Sequence, residues 1–187
     1  MDGCLVAFPW SHHPVEEPVL ERYIRDVPDF PKPGILFKDI TPLLQNAEAL
    51  DHAIRGLAES VDPDSYDLVF GMESRGFIFG TAVAHFAKKG FVPIRKPGKL
   101  PWQRVSETYD LEYGTDTLEV HVDACAKGQR VLLVDDLLAT GGTMGAAVNL
   151  VRKLGGVPVA AAVVIELGFL NGRDRLEGLP VHALLHY

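Results

Sequence analysis

At 187 residues, with 47% of them hydrophobic and 23% charged, the chain can bury one sizeable core and is too short for two comfortable ones. A formal charge of −7 and a pI near 5.4 exclude a general attraction to polyanions, so nucleic acid is not an expected partner and phosphate can be held only at a focused site. Two cysteines, Cys4 and Cys125, exclude a disulfide framework, and no apolar run approaches the ~20 residues that cross a bilayer, which predicts a cytoplasmic protein without a membrane partner.

Residues 1–18, MDGCLVAFPWSHHPVEEP, show neither helical period nor strand alternation and read as a disordered N-terminal extension, without the basic start and apolar middle of a signal peptide. Cys4, His12 and His13 match no closed zinc spacing. The domain proper is expected over 19–187. Val19, Leu20, Tyr23, Ile24 and Val27 recur with helical spacing, predicting a helix that Pro28 stops. A Pro-rich stretch, PDFPKPGILFKDITP, leads to a second helix over 46–61, with Asn46 as N-cap and Leu50, Ile54, Leu57 and Val61 on the face expected to meet a sheet.

From Tyr66 onward, short apolar runs at 66–70, 91–95, 130–136 and 157–166 alternate with helical stretches at 76–89 and 142–154, which Gly90 and Gly155 are placed to end. This alternation predicts an α/β fold: a mostly parallel twisted sheet with helices on both faces. Between Arg95 and Arg130 lies an insertion too long for a simple connection, beginning RKPGKLPWQRVSETYDLEYG and ending in the alternating strand TLEVHV.

The most informative stretch is VLLVDDLLATGGTMGAA, residues 131–147. A buried strand ends in Asp135 and Asp136, and Ala139, Thr140, Gly141, Gly142 and Thr143 then open a helix. In an open α/β sheet the carboxyl ends of the strands line the ligand crevice. Glycines let successive N–H groups converge at a helix start of partial positive charge, the hydroxyls of Thr140 and Thr143 add donors, and the result suits a phosphate dianion. No Lys follows the glycines, so a nucleoside-triphosphatase loop is excluded. Two carboxylates are the matching acceptors for vicinal ribose hydroxyls. A phosphorylated sugar is the implied ligand. The turn GMESRG, with Glu73, Ser74 and Arg75, sits at the same sheet edge and could meet a second anion, and Arg95, Lys96 and Lys99 form a local cationic cluster complementary to pyrophosphate.

Taken together, VDDLLATGGT, PDFPKPGILFKDIT, GMESRGFIFG, RKPGKLP and YDLEYGTDTLEVH resemble the type I phosphoribosyltransferase family, and in particular its adenine-specific members, over residues from about 27 to 187. The resemblance implies transfer of a phosphoribosyl group from phosphoribosyl pyrophosphate to adenine, giving AMP and pyrophosphate, with Mg²⁺ held mainly by the substrate and a homodimer as the assembly. It implies a pyrophosphate loop at Glu73, Ser74 and Arg75 that often contains a non-proline cis peptide, falling here near Glu73 and Ser74. A hood over about 19–45 would take adenine at Leu36, Phe37 and Lys38. A flexible β-hairpin lid over about 96–116 would carry Tyr109, Tyr113 and Glu112, the last as the catalytic group that handles the purine proton. Another acceptor base, or a ligand-sensing regulator on the same fold, are the rival readings; the LFKDI hood and YDLEYG lid oppose the first, and the acidic charge opposes the second.

Overall fold

Residues 131–134 are four consecutive, fully buried side chains, which a strand allows only when both of its faces are covered. The computed structural model of the chain describes residues 19–110 and 114–187, in two compact units divided between His52 and Ala53.

In the first unit the expected helix over 19–27 does not form. Leu20–Tyr23 make one 3-10 turn, and β1 (Arg25–Pro28) pairs antiparallel with β2 (Leu36–Asp39), Val27 facing Phe37. A short segment containing β-branched Ile24 and Val27 gains little from helix propagation, whereas cross-strand charge pairs reward the ladder. Arg25 Nη2 meets Asp39 Oδ2 at 2.5 Å and Lys38 Nζ meets Asp26 Oδ1 at 2.7 Å. Asp39 also accepts from the Thr41 hydroxyl and amide, at 2.6 and 2.9 Å, closing the turn into α1 (Thr41–Gln45). The Thr41 hydroxyl, then Arg25, hold its carboxyl down at about 2. The predicted N-cap of α2 (Ala47–Glu59) is present: Asn46 Oδ1 accepts from the Ala49 amide at 2.9 Å.

The second unit holds β3 (Leu68–Met72), α3 (Gly76–Phe86), β4 (Gly90–Ile94), the hairpin β5 (Arg104–Asp110) and β6 (Thr115–His121), β7 (Arg130–Leu138), α4 (Gly142–Lys153), β8 (Val157–Glu166) and β9 (Val181–His186). Five strands form one parallel sheet in the order β4-β3-β7-β8-β9. The crossover through α3 steps one way along that sheet and the crossover through α4 steps the other. Right-handed connections therefore place the two helices on opposite faces, and the strand order reverses between β3 and β7, where an open sheet leaves its ligand crevice. Phe70, Leu133, Leu150 and Val163 are among the fully buried side chains of the core, each worth roughly 1.5–3 kcal/mol on burial. The second half of α2 meets the sheet as expected: Gly56 leaves room for Leu184 of β9.

Several boundaries differ from expectation; β3 runs over Leu68–Met72 rather than 66–70, and two further shifts bear on the site. Lys88, in the left-handed region at φ 55°, rather than Gly90, follows the end of α3, because Gly90 is used in the ladder opposite Leu68. β7 runs on to Leu138, so both aspartates lie inside a strand that stays paired with β8 through Leu138 and Glu166. Gly155, at φ 84°, closes α4 as predicted. Among the described residues no helix is long and apolar enough to cross a membrane.

Candidate active site

A cavity of about 490 Å³ opens at the carboxyl ends of β3 and β7. Gly76 starts α3 so close to β7 that a β-carbon there would stand 2.7 Å from Asp135 Oδ1 and 2.9 Å from the Val134 carbonyl. That close approach brings the 73–75 turn and the aspartate pair into one cavity. The Glu73–Ser74 peptide within this turn is cis.

Asp135 and Asp136 line the cavity side by side. Arg75 Nε lies 2.9 Å from Asp136 Oδ2, and Asp135 Oδ1 accepts from the Asp136 amide at 2.9 Å. Burial, then the neighbouring Asp136 charge, push the Asp135 carboxyl well above its ordinary value. Burial also raises Asp136, against the opposing pull of Arg75. The pair is thus short of donors and cations for two full negative charges, a deficit that ligand hydroxyls could fill.

Ala139, Thr140, Gly141, Gly142 and Thr143 form the adjoining wall. Gly141 takes φ 80°, a conformation that side-chain-bearing residues rarely adopt, and turns the chain straight into α4. The first amides of a helix have no carbonyl partner within it and carry partial positive charge. With Thr140 and Thr143 they make a cradle of neutral donors. Tyr109 of β5 reaches it, its hydroxyl 3.2 Å from Thr143 Oγ1. Burial raises the Tyr109 phenol above its ordinary value.

The rest of the polar lining is ionic, and Tyr109 joins it to the cradle. Lys96 Nζ donates to Asp116 Oδ2 at 3.1 Å, and Tyr109 donates to the same oxygen at 3.3 Å. The hydrogen bond to Asp116 raises Lys96. Glu73 accepts from the Lys96 amide at 2.9 Å and from Arg95 Nε at 3.2 Å. Burial works to raise Glu73, but those two donors outweigh it and its carboxyl ends below the ordinary value. Arg95 also donates to the Lys99 carbonyl at 3.2 Å and lies 6.0 Å from the Phe77 ring, so it props the loop.

Of the residues singled out from sequence, the cavity is lined by Glu73, Ser74, Arg75, Lys96, Tyr109, both aspartates and the 139–143 turn. Arg95 and Lys99 are not part of that lining, and Arg95 joins Glu73 to the Lys99 carbonyl. Glu112 and Tyr113 lie outside the described residues. Leu36, Phe37 and Lys38 belong to the first unit, where Leu36 is exposed, Phe37 packs edge-on against Phe30 at 5.1 Å, and Lys38 holds Asp26. Sequence reading missed Asp116. Its signal was the alternation of β6, which puts Asp116 on the same face as buried Leu118 and Val120.

Residues 39–178 match the phosphoribosyl transferase domain. An adenine phosphoribosyltransferase of Koribacter versatilis is 58% identical over 168 residues, which cover 90% of this chain and 92% of that one. The crystal structure of adenine phosphoribosyltransferase from Thermoanaerobacter pseudethanolicus matches with a TM-score of 0.88 at 49% identity, covering 90% of this chain and 98% of that one. The Saccharomyces cerevisiae enzyme, complexed with an imino-altritol bisphosphate and adenine, matches with a TM-score of 0.82 at 40% identity, covering 89% and 96%.

Proposed function

The chain belongs to the phosphoribosyl transferase family as an adenine phosphoribosyltransferase, and on that premise we propose that the β3–β7 cavity holds phosphoribosyl pyrophosphate while adenine attacks its sugar. The observation that carries this reading is the placement of Asp135, Asp136 and the Gly141 turn in one cavity with Arg75 and Lys96. Ala139, Thr140, Gly141, Gly142 and Thr143 take the 5′-phosphate, and the aspartates accept from the ribose hydroxyls. Glu73, Ser74, Arg75 and Lys96 surround the pyrophosphate, with Arg95 and Lys99 supporting that wall. Leu36, Phe37 and Lys38 in the hood over 19–45 take adenine, Phe37 offering its ring face.

Adenine N9 bonds to sugar C1 as the C1–oxygen bond to pyrophosphate breaks, and the purine gives up one proton. Positive charge develops on the sugar ring and negative charge on the leaving group, so Arg75 and Lys96 do most where pyrophosphate departs. Glu112, in a lid over 96–116 with Tyr109 and Tyr113, handles the purine proton while the lid keeps water from the sugar carbon.

Asp135 and Asp136 offer oxygen ligands only, and Mg²⁺ is suited by one or two carboxylates together with phosphate and water. The pair therefore fits beside a cation held mainly by the substrate, which would supply neutralisation of charge on pyrophosphate. Family resemblance supports a homodimer, and substrates too heavily charged to cross a membrane unaided support a cytoplasmic site of action. Replacing Asp135 and Asp136 together by Asn turns acceptors into amides whose donors face donors. Titration calorimetry is expected to show at least about tenfold weaker phosphoribosyl pyrophosphate and AMP binding with unchanged circular dichroism. Unchanged affinity for both ligands removes the pair from the site.

A further inference from the structure

The cradle turn is backed by a second stretch of bare backbone. Gly172 is buried and opens a 3-10 turn, Gly172–Leu176, after Asn171 in the left-handed region at φ 51°. A β-carbon on Gly172 would collide with the Ala139 carbonyl oxygen and stand 3.0 Å from the Gly141 nitrogen; one on Gly141 would collide with the Gly172 carbonyl oxygen. Gly172 is itself outside the left-handed region, so an alanine could adopt its backbone conformation. Only the missing side chain matters there.

The 172–176 turn is fastened from two sides. Arg173 Nε and Nη2 each donate to one oxygen of Glu166 at 2.6 Å, and that nearly buried carboxylate ends β8 opposite Leu138 of β7. Leu176 anchors the other end in the core, and the Leu167 amide donates to the Leu138 carbonyl at 2.9 Å. A bidentate guanidinium–carboxylate pair fixes orientation as well as distance. The turn is thus held against the cradle, and none of residues 172–176 lines the cavity.

We propose that Gly172 is a positioning residue for 5′-phosphate recognition: the turn it opens, clamped by Arg173 on Glu166, is the rear wall that sets the spacing of the Ala139–Gly141 backbone. Neutral amide donors stabilise an anion fully only when they need no reorganisation, and a supporting shell must hold them within about 0.5 Å. A methyl group at Gly172 displaces that backbone by displacing the Ala139 carbonyl. The sugar 5′-phosphate loses donors while the pyrophosphate wall is untouched.

This inference rests on the cradle reading, and its test separates the two. Titration calorimetry with AMP, which carries the 5′-phosphate, and with inorganic pyrophosphate plus Mg²⁺ is run on the wild type, Thr140→Val, Gly172→Ala and Arg173→Gln. Gly172→Ala is expected to weaken AMP by about tenfold or more, the scale of one charge-assisted hydrogen bond, and to leave pyrophosphate within about twofold. Arg173→Gln, which adds no atom at the contact, moves AMP in the same direction by a smaller factor. Should Gly172→Ala not fold by circular dichroism, Arg173→Gln decides on the same readout. AMP affinity within about twofold of wild type in the deciding variant, or an equal loss on both ligands, overturns the rear wall. If Thr140→Val weakens AMP and the deciding variant does not, the rear wall alone falls; if Thr140→Val also leaves AMP unchanged, the cradle reading falls with it.

Discussion

At the α4 end of the cavity the donors are backbone amides and the hydroxyls of Thr140 and Thr143, whereas at the Lys96 end they are cations that each already face an acid of the protein. Arg75 lies 2.9 Å from Asp136 and Lys96 3.1 Å from Asp116. Neutral donors can be fixed in place without mutual repulsion. Clustered cations repel and lose hydration, and neighbouring carboxylates offset that repulsion. One part of the lining holds neutral donors and the other holds ion pairs.

The largest effect is expected from neither end. Glu112→Leu should lower kcat by roughly 10²- to 10⁴-fold with little change in AMP or adenine affinity, since general acid or base help is made mainly in the transition state. Steady-state kinetics with a kcat within about threefold of wild type would reject Glu112 as the proton-handling group.

Next comes Lys96→Ala, which tests whether the walls are independent. Loss of one charged hydrogen bond predicts about ten- to hundredfold weaker pyrophosphate binding, a smaller dependence of that binding on salt, and AMP binding nearly unchanged. Equal losses on AMP and pyrophosphate would merge the two ends into one unit.

Asp116→Asn tests whether Lys96 gives up Asp116 for an incoming anion. The pair is half exposed on the lysine side, so it is worth little as a salt bridge. Removing the acid should free Lys96 and tighten pyrophosphate by about two- to fivefold. Weaker binding would instead mean that Asp116 orients the ammonium group rather than occupying it.

The same contrast explains what could be read from sequence. The cradle end is local: a buried run, two acids, paired glycines and a helix start lie within VLLVDDLLATGGTMGAA, and each signal names its own role. The ionic end is assembled from residues far apart in the chain. Lys96 and Asp116 are 20 positions apart, and neither residue type announces the other. Gly172 was illegible for the same reason, since its need to be glycine comes from a contact with Ala139 and Gly141. The sheet followed from apolar runs, yet β9 escaped because two histidines interrupt VHALLH, and β5 because RVSETYD is mostly polar; the hairpin was expected from family resemblance with only β6 marked by alternation. The first unit was misread because five apolar residues at helical spacing outweighed the charge pairing of Arg25 with Asp39, which only the folded strand pair brings together.

The smallest expected effect is on stability, and it comes from Asp135→Asn. Burial, followed by the charge of Asp136, raises the Asp135 carboxyl well above its ordinary value near 3.8. A group that binds its proton more tightly folded than unfolded contributes stability that is fully present below the unfolded value. That contribution is lost as pH rises from there through the raised folded value. An amide at 135 has nothing to titrate and escapes this loss. The variant should therefore melt above wild type near pH 8, by about 2–6 °C for a chain of this size, with the gap narrowing steadily as pH falls towards about 4. AMP binding should weaken in the same protein if Asp135 accepts from the ribose hydroxyls as proposed. Differential scanning calorimetry across this range decides the matter: a melting difference that does not change with pH would mean that Asp135 is not held above its ordinary value, and the cavity's acid pair would then be an ordinary solvated strand end.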